Sequence, residues 1–182
     1  FTTGKPAIIE PYAYEVGGRS VLMTTIAYPV RSGGRIIGVA GLDLALDDIS
    51  AMLAEMKPFG TGRVMLLSAG GNWVSHPDAA LRNQPYAEAN ADQVGAVLAG
   101  GQAVRLQGLR DASGERIERL VSPAALTGLD AAWGLVTDIP SASINGPADR
   151  LAVALMIGGL VILSLVLLSL FIVTERVVRR PL

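Results

Sequence analysis

The feature that most constrains this sequence is an uncharged run of 24 residues, from 151 to 174. At ~1.5 Å per helical residue the run reaches ~36 Å, which is enough to cross a hydrocarbon core of ~30 Å with some tilt. Because no water is available there to bond the backbone, a crossing segment must be helical. Soluble helices rarely stay uncharged for so long, so we predict one transmembrane helix rather than a buried core helix.

The charges on either side of the run predict its orientation. Three arginines follow it, against one glutamate: Arg176, Arg179 and Arg180. Positive residues tend to stay on the cytoplasmic side, so we expect a cytoplasmic C-terminus and residues 1–150 in the periplasm. The charge divides in the same way, with a net −3 before the run and +2 from its start onward.

Composition excludes several classes of function. The chain has no cysteine, which rules out disulfides and thiolate metal sites and fits a bacterial periplasm. Its net charge of −1 and the lack of a basic patch argue against nucleic-acid binding. The chain begins at Phe1 without a signal peptide or a first membrane helix, so we expect that an upstream part is missing.

The pattern of apolar residues predicts a hairpin, a helix and then a second sheet. Residues 20–30 and 35–44 alternate as two strands around a Ser-Gly-Gly turn, and Gly38 and Gly41 suggest a bulge or a close backbone approach. Apolar residues then recur at helical spacing from residue 46 to residue 56, which predicts a helix. Further strands are predicted at residues 63–68, 73–76, 103–109, 116–125 and 132–138, with a weak helix at 90–99. This second part reads as an α+β domain with helices on one side of the sheet.

Several short motifs carry a resemblance to a known family. The segment Glu10-Pro11-Tyr12 and the strand GVAGLDL at 38–44 resemble the end of the membrane-distal lobe of a double Cache sensor domain. The strand GRVMLLS at 62–68 and His76-Pro77-Asp78 resemble the start of its membrane-proximal lobe. The last strand of that lobe is similar to residues 132–140, and Arg179-Arg180-Pro181-Leu182 is similar to the opening of a HAMP linker.

The resemblance implies an α+β fold of PAS-like Cache lobes, with antiparallel sheets and flanking helices, followed by one transmembrane helix. The implied domains are the C-terminal part of the distal lobe (1–45), a connecting helix (46–59), the proximal lobe (60–140), the membrane helix (151–174) and the start of the HAMP linker (175–182).

The implied function is ligand sensing by a transmembrane receptor of the bacterial inner membrane. A chemoreceptor for a small molecule such as an amino acid or amine is favoured, as a homodimer without enzymatic activity or cofactor. Two alternatives stay open. The same domain can be the input of a sensor histidine kinase or a diguanylate cyclase, or it can be a membrane-anchored structural module without a small ligand.

Tyr12 and Asp43 are the candidate ligand-binding residues. Alternation along the second strand places Asp43 on the same face as Val39 and Gly41, and a carboxylate on a mainly apolar face needs a cation or hydrogen-bond donors. The ammonium group of a ligand would supply that cation, and Tyr12 would add a hydroxyl or a ring face as a further contact. The alternatives are an internal salt bridge, to Arg19 or Arg35, and an acid at the strand end near solvent.

The resemblance bears on the same two residues. In family members that recognise amino acids, a tyrosine in the Glu-Pro-Tyr segment and an aspartate in the Gly-x-Asp strand contact the amino group of the ligand. These match Tyr12 and Asp43, whereas the family's carboxylate-holding residues lie upstream of this chain.

A cluster around the single histidine supplies the residue types of a catalytic triad. Ser75 and His76 are neighbours on an extended segment, so their side chains point to opposite faces. His76 with Asp78 lacks further histidine or cysteine ligands for a metal. We therefore expect neither a catalytic nor a metal site, but a hydrogen-bonded turn.

Overall fold

The computed structural model describes residues 4–88 and 90–178, and in the last helix it describes the side chains of residues 141–144, 146, 151 and 153–166. The chain forms two units, Phe1–Ser141 and Ala142–Leu182. The strands are β1 (Ala7–Ile8), β2 (Tyr12–Val16), β3 (Arg19–Ser32), β4 (Arg35–Ala45), β5 (Arg63–Leu67), β6 (Trp73–Ser75), β7 (Val104–Arg110), β8 (Arg116–Ala125) and β9 (Ala132–Pro140). The helices are α1 (Leu46–Glu55), α2 (Ala91–Leu98) and α3 (Ser141–Val178), with short 3-10 turns at Pro58–Gly60 and Ala79–Leu81.

The long strand β3 organises the first sheet. It pairs antiparallel with β1 and β2 along one edge and with β4 along the other. The predicted hairpin is thus confirmed, and its turn uses Gly33 and Gly34, both at positive φ. The short strand β2 was not predicted, although its sequence YAYEV alternates in the way a strand requires.

A bulge near the hairpin turn sets the register of this sheet. Arg31 pairs with Ile36, whereas Val30 pairs with Gly38. Ile37 is therefore an extra residue in β4, next to Gly38, one of two glycines at which the sequence suggests a bulge or a close backbone approach. Every pair further from the turn, including the one that contains Asp43, follows the register set by this bulge.

The second sheet is antiparallel, with the order β6-β5-β9-β8-β7. One face packs against α2 in a buried cluster: Met65, Leu67, Trp73, Val94, Val97, Leu106, Val121 and Val136. The other face packs against α1 in a second cluster: Leu46, Leu53, Val64, Leu66, Val74 and Trp133. Helices on one side were expected, but they flank both faces. Val64 and Leu66 on one face of β5 and Met65 and Leu67 on the other are apolar, so each face has to be covered.

One carboxylate links the two sheets. Glu10, just before β2, accepts hydrogen bonds from the Ser68 hydroxyl at 2.5 Å, the Gly70 amide at 2.8 Å and the Asn72 side chain at 3.4 Å. A Cβ on Gly70 would lie 2.8 Å from the Glu10 carboxyl carbon. The turn between β5 and β6 therefore holds this carboxylate closely, and the absence of a side chain at Gly70 leaves room for the Glu10 carboxylate.

The second unit is built on α3. Within the residues that the structure describes, no helix combines the length and apolar content needed to cross a membrane. The predicted span at 151–174 falls within α3, and the side chains of residue 152 and of residues 167–174 lie outside the described part. The residues that resemble a HAMP linker, 179–182, also lie outside it.

We predict that Glu10→Gln lowers the free energy of unfolding by about 1–2 kcal/mol, because charge-assisted bonds become weaker neutral ones. Gly70→Ala should be destabilising as well, since the added methyl group meets the carboxylate. Urea unfolding followed by circular dichroism measures both effects.

Two matched controls accompany this prediction. Glu15→Gln removes an equal charge from an exposed position in β2, and Gly95→Ala adds a methyl group in α2 where nothing lies within 4 Å. Equal stability losses in Glu10→Gln and Glu15→Gln would show that the carboxylate does not link the sheets.

Candidate functional site

The first sheet brings Tyr12 and Asp43 to one face. Tyr12 pairs with Met23, and Asp43 pairs with Thr25, two residues further along β3. Directly paired residues point to the same side of a sheet, as do residues two apart on one strand. The two predicted residues, on β2 and β4, therefore flank Thr25 on the central strand.

Thr25 joins them through a chain of hydrogen bonds. Its hydroxyl donates to Asp43 Oδ1 at 2.6 Å, and it lies 2.7 Å from the Tyr12 hydroxyl. Because the single hydroxyl proton of Thr25 is used on the carboxylate, Tyr12 must donate to Thr25. The unused capacity of Tyr12 and Asp43 is then for accepting hydrogen bonds. The site can therefore accept hydrogen bonds from a ligand, such as those that an ammonium group donates.

Asp43 has no internal cation partner in the described part of the chain, where no ion pair includes it. Its side chain is exposed. Arg35 stands at the opposite end of β4, and Arg19 pairs with Val16 at the far end of β2. These positions do not favour the salt-bridge alternative, whereas the exposure of Asp43, two residues before the end of β4, agrees with the alternative of an acid near solvent.

Thr25 is the residue that sequence reasoning missed. A threonine within a strand is an ordinary occurrence, and only its register opposite Asp43 distinguishes it. A weak signal was present at Gly41, where an added Cβ would meet the Thr25 methyl group at 3.3 Å. The glycine therefore provides the close approach that the sequence suggested, beside the candidate site.

The segment around His76 forms a hydrogen-bonded turn. The Asp78 amide donates to His76 Nδ1 at 3.0 Å, and the Asp78 carboxylate accepts from the Ala80 amide at 2.9 Å. Burial lowers the pKa of His76 below its ordinary value, so the ring is neutral at pH 7. Ser75 is buried in β6, and no hydrogen bond described here connects it to the histidine.

A second polar cluster lies in the second sheet. Arg119 on β8 donates two parallel hydrogen bonds to Asp138 on β9, at 2.6 and 2.7 Å, and both residues are buried. Its remaining nitrogen bonds the Tyr86 hydroxyl at 3.1 Å and the Glu88 carboxylate. Burial alone would lower the pKa of Arg119, but the hydrogen bonds and charge of Asp138, with Glu88, raise it well above its usual range. Arg119 therefore remains charged.

Comparisons with known proteins agree with this fold. Residues 1–51 match the family model described as the methyl-accepting chemotaxis protein-like, first PDC sensor domain. The chemotaxis protein TlpQ of Pseudomonas aeruginosa is 29% identical over 150 residues, which is 80% of this chain and 21% of TlpQ. The chemotaxis protein McpA of Pseudomonas putida is 33% identical over 135 residues, 71% of this chain and 19% of McpA.

Solved structures show the same relationship. The structure of methyl-accepting chemotaxis protein X is 37% identical, with a TM-score of 0.69, and the match covers 76% of this chain and 52% of that one. The ligand-binding domain of the Pseudomonas fluorescens chemoreceptor CtaA, in complex with L-serine, is 25% identical with a TM-score of 0.51, over 75% of this chain and 56% of that domain.

The fold is therefore that of a PDC or Cache sensor domain, with antiparallel sheets and few helices. The predicted resemblance to the sensor domain of methyl-accepting chemotaxis proteins is confirmed. The chain spans about a fifth or less of the length of the curated relatives it matches.

We predict that Asp43→Asn changes the free energy of unfolding by less than about 1 kcal/mol, because the side chain is exposed and asparagine still accepts from Thr25. Asp138→Asn, the same change at a buried ion pair, should cost about 3–5 kcal/mol. Thermal unfolding of the two variants makes the comparison. A loss at Asp43 as large as that at Asp138 would identify Asp43 as a structural residue.

Proposed function

We propose that residues 1–150 sense a small molecule that carries an ammonium group, such as an amino acid or an amine, as the extracytoplasmic domain of a chemoreceptor. The observation that carries this proposal is the chain Tyr12–Thr25–Asp43, whose free positions accept hydrogen bonds and whose carboxylate has no ion pair in the described residues. The serine complex of the similar CtaA domain supports an amino acid as the ligand class.

The site binds rather than catalyses. An ammonium group would contact the Asp43 carboxylate and the Tyr12 oxygen, and charge-assisted bonds of this kind are stronger than neutral ones. The other end of the ligand would be held by residues upstream of Phe1. The proximal lobe, residues 60–140, would then transmit the response, and the size of the signal is limited by the ligand's differential affinity for two arrangements of the lobes.

The membrane placement belongs to the same proposal. The uncharged run at 151–174 crosses the inner membrane, with residues 1–150 in the periplasm and 175–182 opening a cytoplasmic HAMP linker. Ala154 and Gly158, four residues apart, allow close helix packing in a homodimer. Methyl-accepting chemotaxis proteins among the relatives favour chemotaxis over kinase or cyclase output.

Ligand binding is tested by thermal unfolding of the exported domain, extended upstream of Phe1, against amino acids, amines and organic acids. An amino acid or amine at ~100 times its dissociation constant should add ~2.7 kcal/mol of stability. Asp43→Ala should abolish the shift, because the ammonium loses its counter-charge. Tyr12→Phe should reduce it.

Asp48→Ala is the matched control, because Asp48 is an exposed acid in the first turn of α1. It should leave the ligand shift unchanged. No shift with any compound, or a shift that Asp43→Ala and Asp48→Ala leave equally intact, would contradict the proposed site.

The membrane placement is tested with single cysteines, for which the cysteine-free chain is suited. Ser113→Cys, in an exposed turn of the first unit, should react with a membrane-impermeant maleimide in intact spheroplasts. Val177→Cys should react only after lysis. Labelling of both cysteines in intact spheroplasts would exclude the proposed crossing.

A further inference from the structure

A cavity of about 310 Å³ lies on the α2-facing side of the second sheet, in the lobe that is not expected to bind the sensed ligand. Its walls come from β5, the segment after β6, the turn between β7 and β8, and strands β8 and β9. Apolar walls are provided by Met65, Pro77 and Leu81. The charged residues of the lining are three arginines and three acids: Arg63, Arg110, Arg119, Glu88, Asp111 and Asp138.

Arg119 is the buried cation of this cavity. Only 5% of its side chain is exposed, and Asp138 fixes its orientation through two parallel hydrogen bonds. The third nitrogen, Nη1, is not used by Asp138 and bonds Glu88 and the Tyr86 hydroxyl. A guanidinium held in this way presents one defined position for a second carboxylate.

Glu88 occupies that position from a different part of the chain. It lies on the segment between the second 3-10 turn and α2, outside any strand or helix, and 42% of its side chain is exposed. A half-exposed carboxylate on an irregular segment exchanges with water at lower cost than the buried Asp138. Glu88 is thus the replaceable partner of Arg119.

The charge of the cavity depends on the same residue. Asp138 balances Arg119, and Asp111 balances Arg63 at 2.8 Å. Arg110 donates to the Gly114 carbonyl at 2.6 Å and has no ion pair among those described. Since His76 in the lining is neutral, the cavity carries one positive charge when Glu88 leaves it. One anion of small size would restore the balance.

We propose that this cavity is a second ligand site, which binds a small monocarboxylate at Arg119 in place of Glu88. The carboxylate takes the Nη1 position of Arg119, Arg110 supplies the balancing charge, and a short apolar tail contacts Met65 and Leu81. Glu88 acts as an internal competitor that fills the position when no ligand is bound.

The site is separate from Tyr12 and Asp43 and does not depend on the function proposed for them.

Isothermal titration of the full chain with acetate and propionate tests this site. Glu88→Gln should bind propionate roughly fivefold more tightly than the unmodified chain, because the competing charge is gone. Arg110→Gln should bind it roughly fivefold more weakly, for loss of the balancing charge. Propionamide, which has the same shape without the charge, should not bind.

Controls separate this site from the rest of the molecule. Glu115→Gln removes an equal charge from an exposed residue outside the cavity lining, and it should leave propionate binding unchanged. Asp43→Ala should also leave it unchanged, whatever it does to ammonium ligands. The proposal is overturned if folded Glu88→Gln binds no propionate, or if Glu88→Gln and Glu115→Gln bind it alike. Since Arg110 is exposed, its variant tests the site even if Glu88→Gln fails to fold.

Discussion

The register of β3 is the constraint on which both the core and the candidate site depend. Because strand side chains alternate, a slip of one residue would move each set to the opposite face. In the observed register Thr25 lies between Tyr12 and Asp43, while Leu22 on the other face packs against the cluster around α1. A single set of backbone pairings thus places the chain Tyr12–Thr25–Asp43 on one face and the contact of Leu22 with the core on the other.

Two aspartates, Asp43 and Asp138, show how burial decides which carboxylate is open to a further partner. Asp138 is 2% exposed, and two hydrogen bonds from one guanidinium compensate for its removal from water. Asp43 is exposed and accepts a hydroxyl proton, so water satisfies the rest of its capacity. An incoming ammonium displaces only water from Asp43, whereas at Asp138 it would have to displace Arg119. The exposed aspartate is the better place for a reversible ligand.

The sequence predicted the elements better than their pairing. The hairpin, α1 and the strands of the second sheet follow from alternation and helical spacing, and Tyr12 and Asp43 follow from family motifs. A hairpin without a bulge would place Asp43 opposite Thr24, which is fully buried, instead of Thr25. Gly38 suggested a bulge or a close backbone approach, and only the structure shows that one residue, Ile37, is inserted. The role of Thr25 depends on that single insertion and could not be predicted.

The segment before β2 is where the candidate site and the second sheet meet. Glu10 is held by the turn after β5, Tyr12 bonds Thr25, and the buried Pro11 between them has a fixed φ. The turn that holds Glu10 and a ligand that repositions Tyr12 therefore act on one stiff segment, residues 10–12. The Tyr86 amide, next to Arg119, donates to the Gly71 carbonyl of that turn at 2.8 Å, so a carboxylate bound at Arg119 would also act on the turn and couple the two proposed ligands. Such coupling is reciprocal, because each ligand changes the affinity of the other by the same factor.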